Sequence, residues 1–175
     1  PCKKLDSRIS CKQRGERMIR LRNPVRDDKA IHRLAIRYLL PHTRTFFPEA
    51  DLSLRELKDR LKHGITWVYI PKRGGEVRGF CHAFVRGSTL WIDMIALDRS
   101  VQGKRKGRAL MLLAERYGRM RRCDASSLYV DEQNVRAQRF YRKMGYREKE
   151  YDPRLHVYLY EKALAAERFR KQAPA

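Results

Sequence analysis

The stretch TLWIDMIAL, residues 89–97, constrains the fold more than any other part of this chain. In an extended conformation Leu90, Ile92, Met94 and Ala96 share one face, and Trp91, Asp93, Ile95 and Leu97 the other. Both faces are apolar apart from Asp93, so the strand needs cover on both sides and belongs in the middle of a sheet. Two more strand-length segments, ITWVYIP and VRGFCHAFVRG, precede it across short turns, which predicts an antiparallel meander. With 175 residues and 42% apolar composition, the chain suits one globular domain.

The flanking segments alternate in period. MIRLRNP predicts a half-buried first strand ending at Pro24. DDKAIHRLAIRYLL gathers Ile31, Leu34, Ala35, Tyr38 and Leu39 on one helical face, with Asp27 and Asp28 at its start and Pro41 as its stop. SLRELKDRLKHG opens with a capping box, Ser53 and Glu56, and closes at Gly64. Beyond the meander, RALMLLAERYGRMRR has helical spacing and SSLYVD is a short strand, which makes a right-handed parallel crossover. NVRAQRFYRKMG predicts a helix capped by Asn134, and the segment after it two strands about an Asp-Pro turn. The expected fold class is therefore α/β, mixed: a mostly antiparallel sheet of about seven strands flanked by about four helices. Residues 1–17 read as a mobile basic arm, 18–162 as the folded domain and 163–175 as a tail.

Charge narrows the partners. The formal net charge is +21, and residues 1–26 together with 101–123 supply +14 of it. Two concentrated patches suit a polyanion, nucleic acid included. No apolar run approaches the roughly 20 residues of a membrane span, and the first residues lack a secretory signal core, so a cytoplasmic protein with no membrane contact is expected. The four cysteines form no C-x-x-C pair, and reduced thiols without a metal are the expectation. His32, His42, His63, His82 and His156 have no motif partner and read as structural or surface residues.

Two motifs carry chemistry. The first is the basic loop Gln102, Gly103, Lys104, Arg105, Lys106 and Gly107, running into a helix through Arg108. The second is Asn134, Ala137, Phe140, Tyr141, Gly145 and Tyr146. In this order, with a strand between them, they resemble the GNAT acetyltransferase superfamily, whose members move an acetyl group from acetyl-CoA to an amine. The first resembles that family's [QR]-x-x-G-x-[GA] loop, with Arg105 where a glycine usually stands; the second resembles N-x-x-A-x-x-[FY]-Y-x-x-x-G-[FY] at every marked position. The likeness covers about residues 18–162.

The resemblance implies acetyl-CoA as cosubstrate, no metal, and direct transfer to a primary amine on a small molecule, protein or peptide. A helix N-terminus holds a pyrophosphate through its unpaired N–H groups and its dipole, and Lys104, Arg105, Lys106 and Arg108 add charge around it. If Arg105 must be left-handed, its Cβ costs about 1–2 kcal/mol; a charge-assisted bond to phosphate, about 1.5–3 kcal/mol, offsets that. By resemblance the backbone of Ile95, Ala96 and Leu97 pairs with the pantetheine arm, Asn134 hydrogen-bonds that arm, and Tyr141 is the general acid. Asp93 is the candidate general base and Glu132 a second, because a lysine-like amine with pKa about 10.4 must lose a proton before it attacks.

The alternative from another class is a non-catalytic or RNA- or ribosome-associated basic protein retaining this fold, with Arg121, Arg122, Arg136, Arg139 and Arg142 on phosphates. The acceptor is expected to be chosen by the first two helices and the loop joining the last two strands, with residues 41–53 the stretch most concerned. A monomer and a homodimer are both compatible with the sequence.

Overall fold

A computed structural model describes residues 18–72 and 75–164. The arm at 1–17, all but the first two residues of the tail, and Cys2 and Cys11 lie outside the described residues. The two-sided apolar stretch is β4 (Thr89–Leu97), the middle strand of a seven-stranded sheet. Before it come β1 (Met18–Leu21), α1 (Pro24–Tyr38), α2 (Leu40–Arg44), α3 (Leu54–Arg60), β2 (Ile65–Ile70) and β3 (Gly79–Arg86). After it come a 3-10 turn at Arg99–Val101, α4 (Lys106–Met120), β5 (Ala125–Asp131), α5 (Val135–Lys143), β6 (Arg147–Asp152) and β7 (Val157–Ala163). The strand order is β1-β2-β3-β4-β5-β7-β6, antiparallel except between β4 and β5. The expected meander, crossover and final hairpin are all present; the fifth helix, α2, is a single short turn around Pro41, where a helix stop was expected.

Two apolar layers cover the sheet. One lies under α4 and α5 and includes Trp67, Leu90, Ile92, Leu110, Met111, Leu128, Tyr141 and Tyr160. The other lies under α1 and α3 and includes Ile31, Leu57, Phe80, Met94 and Ala96. Leu90 and Ile92 thus fall in a different layer from Met94 and Ala96, although strict alternation puts all four on one face. The cause is a β-bulge: His82 pairs with Met94 and Ala83 with Ile92, which leaves Asp93 as an extra residue in β4. Beyond it the faces exchange, and Ile95 and Leu97 pack on the α4 layer.

The capping box of α3 is present, with Ser53 and Glu56 bonding each other's backbone N–H. Helix α1 starts earlier than expected, at Pro24, with Asn23 Oδ1 accepting from the N–H groups of Val25 and Arg26 at 3.1 and 3.2 Å; proline at a first helical position loses no bond. Asp27 and Asp28 are instead buried and paired with β1 and the residue following it. Asp27 accepts from both terminal nitrogens of Arg20 (2.6 and 2.9 Å), and Asp28 accepts from Arg22 (2.5 and 2.9 Å). Among the described residues no helix is long and apolar enough to cross a membrane, and Cys81 and Cys123 are buried free thiols.

Candidate active site

Strands β4 and β5 pair only at Thr89–Ala125, Leu90–Ser126 and Trp91–Ser127. Further along, β4 stays bonded to β3 (Cys81–Ile95, Phe80–Ala96, Gly79–Leu97) while β5 stays bonded to β7. The two parallel strands therefore part at the bulge, and from Ile92 to Leu97 the β5-side edge of β4 has no strand partner among the described residues. Ile95, Ala96 and Leu97 lie on that edge. Gln102 Nε2 donates to Leu97 O at 2.8 Å and so ties the following loop back to the end of the strand.

That loop delivers the chain to α4. Tyr38 Oη donates to Asp98 Oδ2 and accepts from Arg99 N–H, both at 3.1 Å, and Asp98 Oδ1 accepts from Ser100. Gly103 has φ 72°, and Arg105, the residue preceding α4, has φ 58° and ψ 11°. The position where the family motif usually has glycine is thus left-handed, and here a side chain occupies it. Gly107 serves differently: a Cβ there would lie 3.3 Å from Leu97 Cδ1 and 3.4 Å from Phe140 Cζ, so its bareness lets α4 close on β4 and α5.

Helices α1, α3 and α5 are capped by the side chains of Asn23, Ser53 and Asn134, whereas α4 has no side-chain cap. Its first helical bond runs from Ala109 N–H to Arg105 O, so the N–H groups of Lys106, Gly107 and Arg108 have no acceptor among the described residues. Cations surround them. Lys104 Nζ donates to Ser100 O at 2.7 Å, Lys106 Nζ sits 5.7 Å above the Tyr69 ring, and Arg108 reaches Met144 Sδ at 3.8 Å. The Arg105 side chain is exposed and has no partner among the described residues.

Asn134 caps α5 by accepting from Ala137 N–H at 3.1 Å, and its Nδ2 has no acceptor among the described residues. Tyr141 is buried in the α4 layer, its ring 5.4 Å from Phe140, 6.1 Å from Tyr146 and 6.5 Å from Tyr160. Burial pushes its phenol well above the usual range, and the charges of Cys81 and Asp131 act in the same direction.

Asp93 contacts the other layer. Its Oδ2 and Oδ1 accept from Arg60 at 2.7 and 2.5 Å, and its Oδ2 lies 4.0 Å from His82 Nε2. His82 is completely buried, with Nδ1 2.9 Å from Thr66 Oγ1. Burial lowers its pKa, more than Asp93 raises it. Asp93 and His82 line a cleft of about 490 Å³ shared with Arg60, His63, Gly64, Phe84, Val85, Tyr117 and Arg121. Sequence reasoning missed Arg60 and His82, although the hairpin register of β3 on β4 sets His82 opposite Met94, next to Asp93.

Glu132, the second candidate base, accepts a short bond from Tyr151 Oη and lies 3.5 Å from His156 Nδ1. His156, in the β6–β7 loop, stacks on Phe46 at 3.9 Å. The two loops expected to choose an acceptor therefore touch. Among the described residues no three His, Cys, Asp or Glu side chains form a metal-sized group.

A mixed sheet that splits between two parallel strands, with an uncapped basic helix start beside the split, is an arrangement suited to an anion. The profile described as "Acetyltransferase (GNAT) family" matches residues 30–146, and the chain belongs to that family. It is 29% identical over 150 residues to the mycothiol acetyltransferase of Acidothermus cellulolyticus, an alignment spanning 74% of this chain but 44% of that protein. Among solved structures, Ard1 from Thermoplasma volcanium superposes with a TM-score of 0.71 at 21% identity, over 85% of this chain and 97% of that one. The paia N-acetyltransferase from Thermoplasma acidophilum, solved in complex with coenzyme A, gives 0.66 at 18% identity, over 83% and 98%. These two show the same fold.

Proposed function

We propose that the protein is an acetyl-CoA-dependent N-acetyltransferase that transfers directly to an amine. The observation that carries this reading is the uncapped, cation-rich start of α4 beside the unpaired edge of β4. Acetyl-CoA, when bound, supplies an activated thioester. The chain's own groups do the rest. The N–H groups of Lys106, Gly107 and Arg108 and the guanidinium of Arg105 hold the pyrophosphate. The free edge at Ile95, Ala96 and Leu97 aligns the pantetheine arm as a further strand, Asn134 Nδ2 donates to it, and a β4 N–H polarises the acyl carbonyl. Tyr141, kept protonated by burial, donates to the departing sulfur. Asp93 takes the amine proton, and because both its oxygens sit on Arg60 the proton arrives as Arg60 lets go or through a bridging water. The acceptor is a primary amine presented between residues 41–53 and the β6–β7 loop.

Calorimetry with CoA tests the reading, and Arg105→Gly sharpens it. The variant is expected to raise apo-protein stability by about 1 kcal/mol, since glycine relieves the left-handed strain. Its CoA dissociation constant should rise about tenfold or more with the loss of a charge-assisted bond. Absence of CoA binding by the unaltered protein sinks the reading, and unchanged affinity in the variant sinks the role of Arg105.

A second reading adds a polyanion contact. Arg121, Arg122, Arg136 and Arg139 are exposed at the end of α4 and on α5, with no carboxylate partner among the described residues, whereas Arg142 pairs with Glu148. RNA affinity falling linearly in log–log form with salt, and flattened by Arg136→Gln with Arg139→Gln, is the expected result; a slope unchanged in that double variant removes these residues from the contact.

A further inference from the structure

We infer that the cleft between the C-terminal ends of α3 and α4 binds a small organic carboxylate with an apolar body. Its volume, about 490 Å³, is within the range of small-molecule pockets. Phe84, Val85 and Tyr117 give it apolar walls, and Gly64 forms part of its lining where a Cβ would strike Ala83 O.

The polar side is built, and one of its donors is unmet. His82 is fully buried and lines the cleft, yet its Nε2 has no hydrogen-bond partner. Asp93 Oδ2, at 4.0 Å, is too far to accept from it. The His82 ring also meets the backbone of Ile65; the proton is assigned to Nε2 because a lone pair turned toward the Asp93 carboxylate is repelled, with Thr66 then donating to Nδ1. A buried N–H without an acceptor is unfavourable, and a ligand oxygen would satisfy it.

The charge sets the sign of the ligand. Arg60 and Asp93 neutralise each other, while Arg121 has no carboxylate among the described residues and His63 lies on the same rim. The anionic head is assigned to Arg121 and His82 Nε2–H, with the Asp93 charge beside it offset by Arg60. The cleft is distinct from the pyrophosphate loop, because Arg121 follows the fifteen-residue α4 that begins at Lys106, about 22 Å apart at the helical rise.

The carboxylate can belong to the amine acceptor itself or to a separate ligand, and three probes with one body distinguish them. Phenylpropanoate carries only the carboxylate, phenethylamine only the amine, and phenylalanine both. Calorimetry and histidine imidazole NMR shifts are read with and without CoA, so that failure of CoA binding is visible separately from failure of the cleft. Phenylpropanoate and phenylalanine are expected to saturate and to shift the His82 signals. Phenethylamine is expected not to bind, and Arg121→Gln, an exposed change that leaves the core intact, should weaken the carboxylates at least fivefold. Acetylation of phenylalanine in the presence of acetyl-CoA, an arm that rests on the transferase reading, assigns the carboxylate to the acceptor; binding without acetylation assigns it to a separate ligand. No saturable binding by either carboxylate, equal binding to Arg121→Gln, or amine binding as tight as carboxylate binding overturns the proposal.

Discussion

Tyr141→Phe is expected to lower kcat for acetyl transfer by about two orders of magnitude or more, with KM for acetyl-CoA nearly unchanged and the fold intact. Positioned proton donors contribute roughly 10²–10⁴-fold, and the substitution deletes only a hydroxyl. The ring contacts with Phe140, Tyr146 and Tyr160 hold the side chain in place in either form. Burial sets the pH behaviour as well. With its phenol pushed upward, Tyr141 remains a donor across the pH range in which a model tyrosine, near 10, starts to ionise. The rate should therefore show no alkaline fall attributable to this group. Steady-state kinetics between pH 7 and 10, beside a thermal melt, checks both statements. An unchanged kcat in the variant removes the general-acid role, and a loss confined to KM reassigns Tyr141 to binding.

The central strand was legible because burial on both faces of an extended segment leaves a clear pattern: only an interior strand needs apolar residues at eight consecutive positions, Leu90 to Leu97, save one. That single exception, Asp93, marks the bulge, but alternation alone cannot show that the faces exchange there. The exchange is a property of pairing with β3, through the contacts Ala83–Ile92 and His82–Met94, nine and twelve positions apart. The Ser53–Glu56 box was legible for the opposite reason, since both partners lie within one helical turn. The cations of the loop before α4, and its place ahead of a helix, were legible. What its sequence does not display is that Arg105 adopts positive φ and that α4, unlike α1, α3 and α5, has no cap. The proximity of Phe46 to His156 joins loops more than a hundred residues apart, and Arg60 and His82 reach Asp93 from a helix and a strand whose approach no local period encodes.

The start of α1 carries the same lesson into energetics. Local rules place acidic residues in a first turn for the helix dipole, yet Asp27 works mainly across the fold, against Arg20 of β1 and the N–H of Asn23, which donates to Asp27 Oδ2 at 2.6 Å. The alternation of apolar and basic residues in β1 therefore does not leave its basic face to water. Asp27→Ala is expected to destabilise the protein by about 3 kcal/mol. Removing one partner of a buried pair costs about 3–5 kcal/mol, and the lower end applies because Arg20 is 30% exposed and can turn to solvent. Desolvation works to raise the Asp27 pKa, but hydrogen bonds from Arg20 and from the Asn23 amide, with the charges of Arg20 and Arg22, outweigh it and hold the carboxyl below its ordinary value. A depressed folded-state pKa stabilises fully above the unfolded value, near 3.9, and the contribution disappears as pH falls through the folded one. Denaturant unfolding of the two proteins should thus differ by about 3 kcal/mol at pH 7, and the difference should narrow steadily from about pH 5 toward pH 2 as Asp27 gains its proton. A gap that stays constant over that window would mean that the pair contributes packing rather than charge.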